Sequence, residues 1–467
     1  MTRRRLIRLF GLAVLLTGMD SAWAGNTLAG FATSDITPPL NLEMAGFGPA
    51  LDRRATNTHD PLMAHAMVLV VNGRRVAVVD CDVVGVTLEL TRKVRMLVEA
   101  GTGIPGQHLL LSATHTHSGP GIPKWTDWGE RDEEYLSGLP QKIAQAVIAA
   151  SKNLQPVAVY YGEAPVQGIG ENREYENGPV DKSLRVLEFK HGDKVLGFIV
   201  NYSVHNVIFS ELMHSYTADL TGVGIAKALK DYPGAVGIFL QGSCGDINPR
   251  PAREINHAPP EKCERMLEHS SDLFASYVRQ ALVAAAPMDV KQLEMETRPL
   301  ILPEVPTDRA LVLRQMLLAE QLLEPASGAN AAPALPLDAQ RWLRYSRDSA
   351  KAVLARFDRM PLDAKETETQ ALRIQDVLIL TDPGETFITF ANQTQEMLPG
   401  WKVWVAGYAN DYVGYIPSAD RYDLTTGDFS YPAYFTPTMN GEFRYREDVG
   451  DVLVYQLVAF GHDITGR

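Results

Sequence analysis

Two histidines separated by a single residue are the first feature of this sequence that suggests chemistry. His115 and His117 lie in Ser112–Gly121, which reads Ser-Ala-Thr-His-Thr-His-Ser-Gly-Pro-Gly and continues an apolar stretch. In an extended segment, a spacing of two places both imidazoles on the same face, and the Ser-Gly-Pro-Gly that follows predicts a loop. Because neutral imidazole is a common metal ligand, the segment predicts a metal site at the edge of a sheet. The alternative is a pair of polar residues that end a strand by bonding to the backbone.

Three more polar side chains follow predicted strands. His205 ends an apolar run, Glu385 follows another run in an Asp-Pro-Gly-Glu turn, and Tyr415 belongs to the Gly- and aromatic-containing segment Asn410–Pro417. Loops at strand ends often carry binding and catalytic residues. Each residue also has a purely structural interpretation: a histidine bonded within the fold, a solvated turn carboxylate, and aromatic packing.

A glycine-containing loop is predicted at Gln241–Arg250, after the strand 236–241. Gly242 and Gly245 allow backbone N–H groups to converge, and such groups can bind an oxyanion. Asp246 and Asn248 are the polar side chains of this loop and are candidate catalytic residues. The structural alternative is a turn capped by Asp246.

The elements that must position these residues alternate between strands and helices. A hairpin is predicted at 66–71 and 75–79, because the intervening Asn-Gly is a strong turn signal. Further strands are predicted at 108–113, 157–161, 184–189, 196–202, 236–241 and 372–380, and helices at about 90–100, 133–152, 221–230 and 262–285. From 305 to 358 the pattern predicts a helical hairpin with a loop at 326–333, either a lid or an insertion. The pattern predicts an α/β fold of mixed sheets flanked by helices, in one large domain over 25–467.

The first 24 residues have the pattern of a signal peptide. Four arginines precede an apolar run, and Ser-Ala-Trp-Ala provides a small-residue cleavage site after Ala24. The arginines also resemble a twin-arginine export signal; a membrane anchor is the alternative, although the apolar run is short for a span. We therefore expect a secreted or periplasmic protein, in which Cys244 and Cys263 are free to pair and Cys81 is a buried thiol.

Composition narrows the class of function. The 467 residues carry 44 Lys and Arg against 56 Asp and Glu, a net charge of −12, and 45 % of the residues are hydrophobic. This balance is typical of a globular protein and provides no electrostatic drive towards nucleic acid. No stretch after the signal peptide is long and apolar enough to predict a membrane span.

Taken in order, the motifs resemble those of the neutral (non-lysosomal) ceramidases, in their N-terminal catalytic domain. The resemblance rests on the His-x-His loop, the strand that ends in His205, the Gly-Asp-x-Asn-Pro loop, the Pro-Gly-Glu turn and the Asn-Asp-Tyr-x-Gly-Tyr segment. It begins early, at Ala32–Pro38 and Met44–Gly48, and covers nearly all of residues 27–425.

The resemblance implies a zinc amidase. The residues that would hold Zn²⁺ are His115, His205, Glu385 and Tyr415. His117 would lie behind the ligands or bind an oxyanion, and Arg173 resembles the family's active-site arginine. Bound zinc would polarise the scissile carbonyl and lower the pKa of a water molecule.

One position departs from the family pattern. Asn248 stands where the family has a serine that is regarded as essential, often as the nucleophile. An amide is no activated nucleophile, but it can donate a hydrogen bond to an oxyanion. The departure predicts direct attack by zinc-activated water, on ceramide or on another N-acyl or ester compound.

A second departure concerns length. The family continues into an immunoglobulin-like domain, and the stretch beyond Tyr415 is too short for a sandwich of roughly 100 residues. The expected partner is a small-molecule or lipid amide. Three alternatives stay open: an esterase or deacylase with the same metal, an inactive binding protein, and a solute-binding protein without metal.

Overall fold

The computed structural model describes residues 27–49, 51–324, 335–426 and 430–466. The predicted signal peptide at 1–24 and the predicted loop at 326–333 lie outside these ranges, so both stay predictions. Among the described residues, no helix has the length and apolar character needed to cross a bilayer.

The described strands are numbered in chain order. The first eleven are β1 (Thr27–Asp35), β2 (Asn57–Thr58), β3 (Met63–Val71), β4 (Arg74–Cys81), β5 (Leu109–Ala113), β6 (Gln155–Pro156), β7 (Ala158–Pro165), β8 (Gly170–Asn172), β9 (Ser183–His191), β10 (Lys194–Tyr202) and β11 (Ser215–Tyr216). The remainder are β12 (Val236–Gln241), β13 (Ile247–Pro249), β14 (Ala286–Met288), β15 (Leu293–Val305), β16 (Ala364–Ile374), β17 (Val377–Thr381), β18 (Glu385–Thr386), β19 (Lys402–Ala406), β20 (Tyr415–Ile416) and β21 (Arg444–Tyr445).

The α-helices lie between and after these strands. They are α1 (Leu88–Thr102), α2 (Glu133–Lys152), α3 (Asp219–Ala228), α4 (Pro260–Val283), α5 (Arg309–Leu323), α6 (Leu337–Arg356), α7 (Ile388–Glu396), α8 (Thr436–Met439) and α9 (Val449–Thr465). Their ends follow local chemistry. The side chain of Thr87 caps α1 by accepting from Leu90 N, and Gly103 ends this helix at a φ of 71°, a conformation that glycine adopts without strain.

Three five-stranded sheets form the framework. Their strand orders are β5-β4-β3-β1-β6, β12-β10-β9-β7-β14 and β19-β17-β16-β15-β21. Most neighbours are antiparallel, but each sheet ends in one parallel pair: β4 with β5, β10 with β12, and β17 with β19. The predicted fold class, mixed sheets flanked by helices, is confirmed.

The inner faces of the three sheets meet in one apolar core. Met67, Leu187, Ile199, Ile379 and Trp404, drawn from all three sheets, are completely or almost completely buried in this cluster. Helices cover the outer faces, with α2 on the first sheet, α4 on the second and α9 on the third. The parallel edge strands thereby come together. A single bridge joins Ser112 near the end of β5 to Ala409 after β19, and another joins Thr116 after β5 to Asn206 after β10.

The predicted hairpin is confirmed, and the strand character predicted over 372–380 is confirmed with a turn that was not predicted. β3 and β4 turn at Asn72 and Gly73, with φ angles of 50° and 82°. The strand character predicted over 372–380 belongs to two antiparallel strands, the end of β16 and β17, which turn at Gln375 with a φ of 56°. A glutamine in the left-handed region gives no turn signal in the sequence.

Cys244 and Cys263 do not form the disulfide that the sequence allowed. Cys81 is buried, as predicted, and Cys244 and Cys263 are buried and free. Cys244 instead contacts the hydroxyl of Tyr408 at 3.1 Å, and Cys263 donates to Ala258 O at 3.4 Å. No disulfide joins the described residues.

Candidate metal centre

The polar loops of the site follow the carboxyl ends of the parallel edge strands. β5 leads to His115, β10 to His205, β17 to Glu385 and β19 to Tyr415, while β12 leads to the loop at 241–250. Glu385 and Tyr415 are direct partners in the short parallel pair β18–β20. Residues that lie as far as 300 positions apart in the sequence therefore share one edge.

The backbone fixes the orientation of His115. This residue is fully buried and has a φ of 62°, a conformation that is uncommon outside glycine and recurs at functional sites. Its Nδ1–H donates to Val84 O at 2.5 Å, and its backbone N–H donates to Val83 O at 3.0 Å. Because a carbonyl oxygen only accepts, Nδ1 carries a proton, and in the neutral imidazole Nε2 therefore has the lone pair.

His205 is held in the same way. It is fully buried, and its Nδ1–H donates to Cys244 O at 2.6 Å. The Nε2 atom is again left with a lone pair. Burial lowers the pKa of His205 to about 4, so the imidazole is neutral at physiological pH.

Both lone pairs face the same carboxylate oxygen. Nε2 of His115 lies 3.3 Å and Nε2 of His205 lies 3.2 Å from Oε2 of Glu385. With Nδ1 protonated in both rings, three acceptors face one another inside the protein, an arrangement that a bound cation stabilises. Two imidazoles and a carboxylate are also a donor set of catalytic zinc sites, so these residues fit a zinc ion.

His117 lies beside this cluster on the side of the cleft. Its Nε2 is 3.0 Å from Nε2 of His115, and ring nitrogens of His115, His117 and His205 lie within 4.8 Å of one another. Its Nδ1 is buried with no hydrogen-bond partner among the described residues. Burial lowers the pKa of His117, which keeps this ring neutral too. The geometry admits His117 as a further ligand, and its predicted role behind the ligands stays a prediction.

Glu385 is oriented by tyrosines that sequence reasoning missed. The hydroxyl of Tyr412 donates to Oε1 of Glu385, and the hydroxyl of Tyr408 lies 3.4 Å from Oε2. Tyr412 belongs to the Asn-Asp-Tyr-x-Gly-Tyr segment, so its proximity to Tyr415 was the signal available in the sequence.

Arg173 connects the cluster to the glycine-containing loop. Its Nη2 donates to Tyr415 Oη at 2.6 Å and to Gly245 O at 2.8 Å, and its Nη1 donates to Asn248 Oδ1 at 3.2 Å. Burial raises the pKa of the Tyr415 phenol, whereas the Arg173 guanidinium acts in the opposite direction. Because Arg173 only donates, Oδ1 of Asn248 faces the guanidinium and the Nδ2 amide is directed elsewhere.

Both carboxylate oxygens of Asp246 accept hydrogen bonds from the protein. Its Oδ1 accepts from Ile388 N at 2.8 Å and its Oδ2 accepts from Asn172 Nδ2 at 2.7 Å. Burial raises the pKa of Asp246 to about 6. These contacts fix the segment that carries Arg173, so they support a positioning role, and direct participation in catalysis stays a prediction.

A cleft of about 840 Å³ opens onto the site. His117, Arg173, Asn248 and Tyr415 lie along it. Its lining includes the apolar side chains of Phe47, Leu51, Trp128 and Tyr431 and the carboxylates of Glu171, Glu174, Glu176 and Glu211. The cleft is therefore amphiphilic.

Gly46 permits the close approach of the cleft wall to the cluster. It has a φ of 109°, and a Cβ atom at this position would lie 2.5 Å from Nδ1 of His117. Any other residue would displace the imidazole, which explains the glycine in the segment Met44–Gly48.

Comparisons with known proteins identify relatives of this chain. The family model "Neutral/alkaline non-lysosomal ceramidase, N-terminal" matches residues 28–272, more than half of the chain. The neutral ceramidase of Pseudomonas aeruginosa is 25 % identical over 248 residues, which are 47 % of this chain and 36 % of that protein. The neutral ceramidase of Mycobacterium tuberculosis is 24 % identical over 271 residues, which are 50 % of this chain and 42 % of that protein. The chain thus spans less than half the length of these curated relatives.

Solved structures share the fold. A crystal structure of neutral ceramidase from Pseudomonas aeruginosa aligns with a TM-score of 0.68 at 18 % identity, over 94 % of this chain and 75 % of that chain. A ceramidase complexed with C2 aligns with a TM-score of 0.69 at 17 % identity, over 94 % and 76 % of the two chains. On the strength of the family match and this shared fold, the chain belongs to the neutral/alkaline non-lysosomal ceramidase family.

Proposed function

We propose that this protein is a zinc-dependent hydrolase that cleaves the amide bond of an N-acyl lipid such as ceramide, giving a fatty acid and a sphingoid amine. The observation that carries the proposal is the convergence of His115 Nε2, His205 Nε2 and Glu385 Oε2, three acceptors at 3.2–3.3 Å, beside an amphiphilic cleft that His117 and Tyr415 line. The names of the relatives, all neutral ceramidases, support the substrate class.

His115, His205, Glu385 and Tyr415 would hold the metal. When bound, zinc acts as a Lewis acid that polarises the scissile carbonyl and lowers the pKa of water. The carbonyl groups of Val84 and Cys244 keep both imidazoles in the tautomer that a metal requires. Arg173 donates to Tyr415 Oη and so favours the phenolate form that a ligand needs.

Asn248 would bind the carbonyl oxygen of the substrate. Because its Oδ1 accepts from Arg173 at 3.2 Å, its Nδ2 amide has hydrogens to donate to the negative charge that develops on that oxygen. Asn248 itself has no nucleophilic oxygen, so water attacks the carbonyl carbon, the C–N bond breaks, and the amine leaves with a proton from water. No acyl-enzyme forms.

One observation favours a more polar substrate as the second candidate. Glu171, Glu174, Glu176 and Glu211 line the same cleft as the aromatic side chains. Carboxylates accept hydrogen bonds from hydroxyl and ammonium groups. An esterase or deacylase that acts on an acylated polar compound would use the same metal and the same donors.

Hydrolysis of a short-chain fluorescent N-acylsphingosine tests the proposal. We expect release of fatty acid and amine in equal amounts, loss of activity after chelation, and recovery on addition of zinc. A parallel ester of the same acyl chain separates the amidase from the second candidate. A zinc-loaded protein that cleaves neither compound, or full activity in protein shown to be free of metal, would contradict the proposal.

We also propose that the protein is exported from the cytoplasm. The arginines, the apolar run and the Ser-Ala-Trp-Ala site of residues 1–24 support this proposal. N-terminal sequencing of the protein recovered outside the cytoplasm tests it, and a mature chain that starts at Gly25 is the expected result.

A further inference from the structure

Arg53 is a buried cation whose hydrogen-bond acceptors are backbone carbonyl groups. It lies in the loop between β1 and β2 and is only 2 % exposed. Burial lowers the pKa of Arg53 to about 9, and nearby carboxylates, Glu211 foremost, act in the opposite direction, so the guanidinium is a cation at neutral pH. Because burying a charge costs free energy, the contacts that Arg53 makes must offset this cost.

The guanidinium of Arg53 donates to carbonyl groups of three separate loops. Its Nη2 donates to Ala45 O at 3.1 Å and to His117 O, and its Nη1 donates to Ser210 O at 3.2 Å. These acceptors follow β1, β5 and β10 respectively. A planar guanidinium with five N–H donors can bind three acceptors at once, whereas the ammonium group of a lysine is a compact charge on a flexible chain. Arg53 therefore joins three loops beside the candidate metal centre.

Two of these loops enclose the imidazole of His117. A Cβ atom on Gly46, the residue after Ala45, would lie 2.5 Å from Nδ1 of His117. The centroid of the Phe47 ring is 5.1 Å from that of the His117 ring, in an edge-to-face arrangement. Cζ of Arg53 lies 4.8 Å from the centroid of the Phe47 ring, a distance at which a cation attracts an aromatic face. Arg53 thus contacts both the backbone of His117 and the ring that packs against its imidazole.

The imidazole of His117 lacks the hydrogen bond that fixes the other two histidines. His115 and His205 each donate from Nδ1 to a backbone carbonyl. Nδ1 of His117 is buried with no partner among the described residues. The backbone of His117 is held instead, because its N–H donates to Asn206 O at 3.0 Å and its carbonyl accepts from Arg53. The position of this ring therefore depends on its backbone and on the packing around it.

We propose that Arg53 is a positioning residue, which holds His117 and the Gly46–Phe47 segment of the cleft lining in a fixed position beside the candidate metal centre. This inference rests on the proposed function, since it assigns Arg53 to the reaction in this cleft. His117 and Phe47 line the cleft, and Arg53 acts on the substrate through these two residues. A displacement of about 1 Å near the reacting atoms can lower a rate by about 100-fold, so the contacts of Arg53 affect the rate of hydrolysis.

The test is nitrogen NMR of isotope-labelled imidazoles in the metal-free full protein, with His117→Ala used to assign the His117 signals. Arg53→Met should shift or broaden these signals, because the His117 carbonyl loses its donor, and Arg53→Lys should cause a smaller change. For N-acylsphingosine, kcat should fall by about 100-fold in Arg53→Met and by about tenfold in Arg53→Lys. Arg95→Lys is the matched control: Arg95 is 8 % exposed and donates to Leu109 O at 3.2 Å, at the start of β5, whereas the site follows the end of that strand. This control should leave the His117 signals and kcat unchanged.

The outcomes separate positioning from a general effect on the fold. Identical His117 signals in the wild type and in a folded Arg53 variant overturn the proposal, and so does an unchanged kcat in both Arg53 variants. If Arg53→Met alone loses the circular dichroism spectrum of the wild type, Arg53→Lys provides the same comparison. Unfolding of both variants, or an equal effect of Arg95→Lys, would show that Arg53 acts on the fold as a whole and overturns positioning as well. His117 signals that depend on Arg53, in a protein that cleaves no substrate, would support the positioning of His117 and contradict the proposed function.

Discussion

At the residue scale, the catalytic consequence of Asn248 follows from its contact with Arg173. The Arg173 guanidinium donates to Oδ1 of Asn248 at 3.2 Å, so the Nδ2 hydrogens of Asn248 can donate to the substrate. A serine at this position is shorter and cannot span the same distance while donating in the same direction. The side chain is therefore suited to bind charge rather than to form a covalent bond.

We predict that Asn248→Ser lowers kcat for N-acylsphingosine by roughly 100-fold, the usual effect of removing one oxyanion donor. Asn256→Ser is the control, since Asn256 also lines the cleft but is exposed, and its kcat should stay close to that of the wild type. Steady-state kinetics on both variants provide the measurement. A variant Asn248→Ser that is as active as the wild type, or more active, would show that this position has no donor role.

Tyr412 acts on the centre through Glu385. Its hydroxyl donates to Oε1, which leaves Oε2 as the oxygen that faces His115 and His205. Hydrogen bonds to a ligand fix its orientation and tune its affinity for a metal.

We expect Tyr412→Phe to weaken zinc binding about 10–100-fold, as is typical when a partner of a ligand is removed. Competition with a chromophoric chelator measures the affinity. Tyr135→Phe is the control, because it removes a buried hydrogen bond, to Ile36 O at 2.6 Å, that does not reach the centre. Equal zinc affinity in Tyr412→Phe and the wild type would remove this positioning role.

At the element scale, sequence patterns predicted the turns and helix ends that neighbouring residues determine. The Asn72-Gly73 turn and the helix at 133–152, capped by Asp132, were predictable because turn and cap residues act over a few positions. The division of 372–380 into two strands was not predictable, because the turn depends on Gln375 adopting a left-handed conformation. The continuity of the sheet around this turn, set by packing, decides that conformation.

The hairpin of α5 and α6 is attached to the third sheet by a buried ion-pair network. Arg356, 3 % exposed at the end of α6, donates to Glu304 on β15, and its Nε lies 2.9 Å from Oε2 of Glu442. A buried carboxylate that loses its cation partner destabilises the fold, because its desolvation free energy is no longer offset by the ion pair.

We predict that Arg356→Met destabilises the protein by about 3–5 kcal/mol, since the buried Glu304 carboxylate loses its cation partner, whereas Glu442 keeps Arg359 and Lys365. Urea unfolding followed by circular dichroism measures the free energy of unfolding. Arg341→Met is the control on the same helix: Arg341 pairs at 3.4 Å with Asp338, which is 85 % exposed, and its loss should cost at most about 0.5 kcal/mol. Equal effects of the two substitutions would show that the network does not anchor the hairpin.

At the scale of the whole molecule, the centre exists because three sheets present their parallel edges to one another. The types of ligand were predictable from motifs at strand ends, such as the loop that holds His115 and the turn that holds Glu385. Their convergence was not, since it depends on packing of the sheets around Trp404 and its neighbours. The same holds for the contact of Arg173 with Tyr415, which joins residues 242 positions apart.

The central claim is that this edge holds a zinc ion, and its most direct test is the metal content of purified wild type and of His205→Ala. We predict about one zinc per chain in the wild type, as expected of a mononuclear catalytic site. His205→Ala should lose the metal and keep the circular dichroism spectrum of the wild type, because the Nε2 atom of His205 faces the centre. Full zinc occupancy in folded His205→Ala, or a wild type that binds no zinc from an excess, would contradict the account.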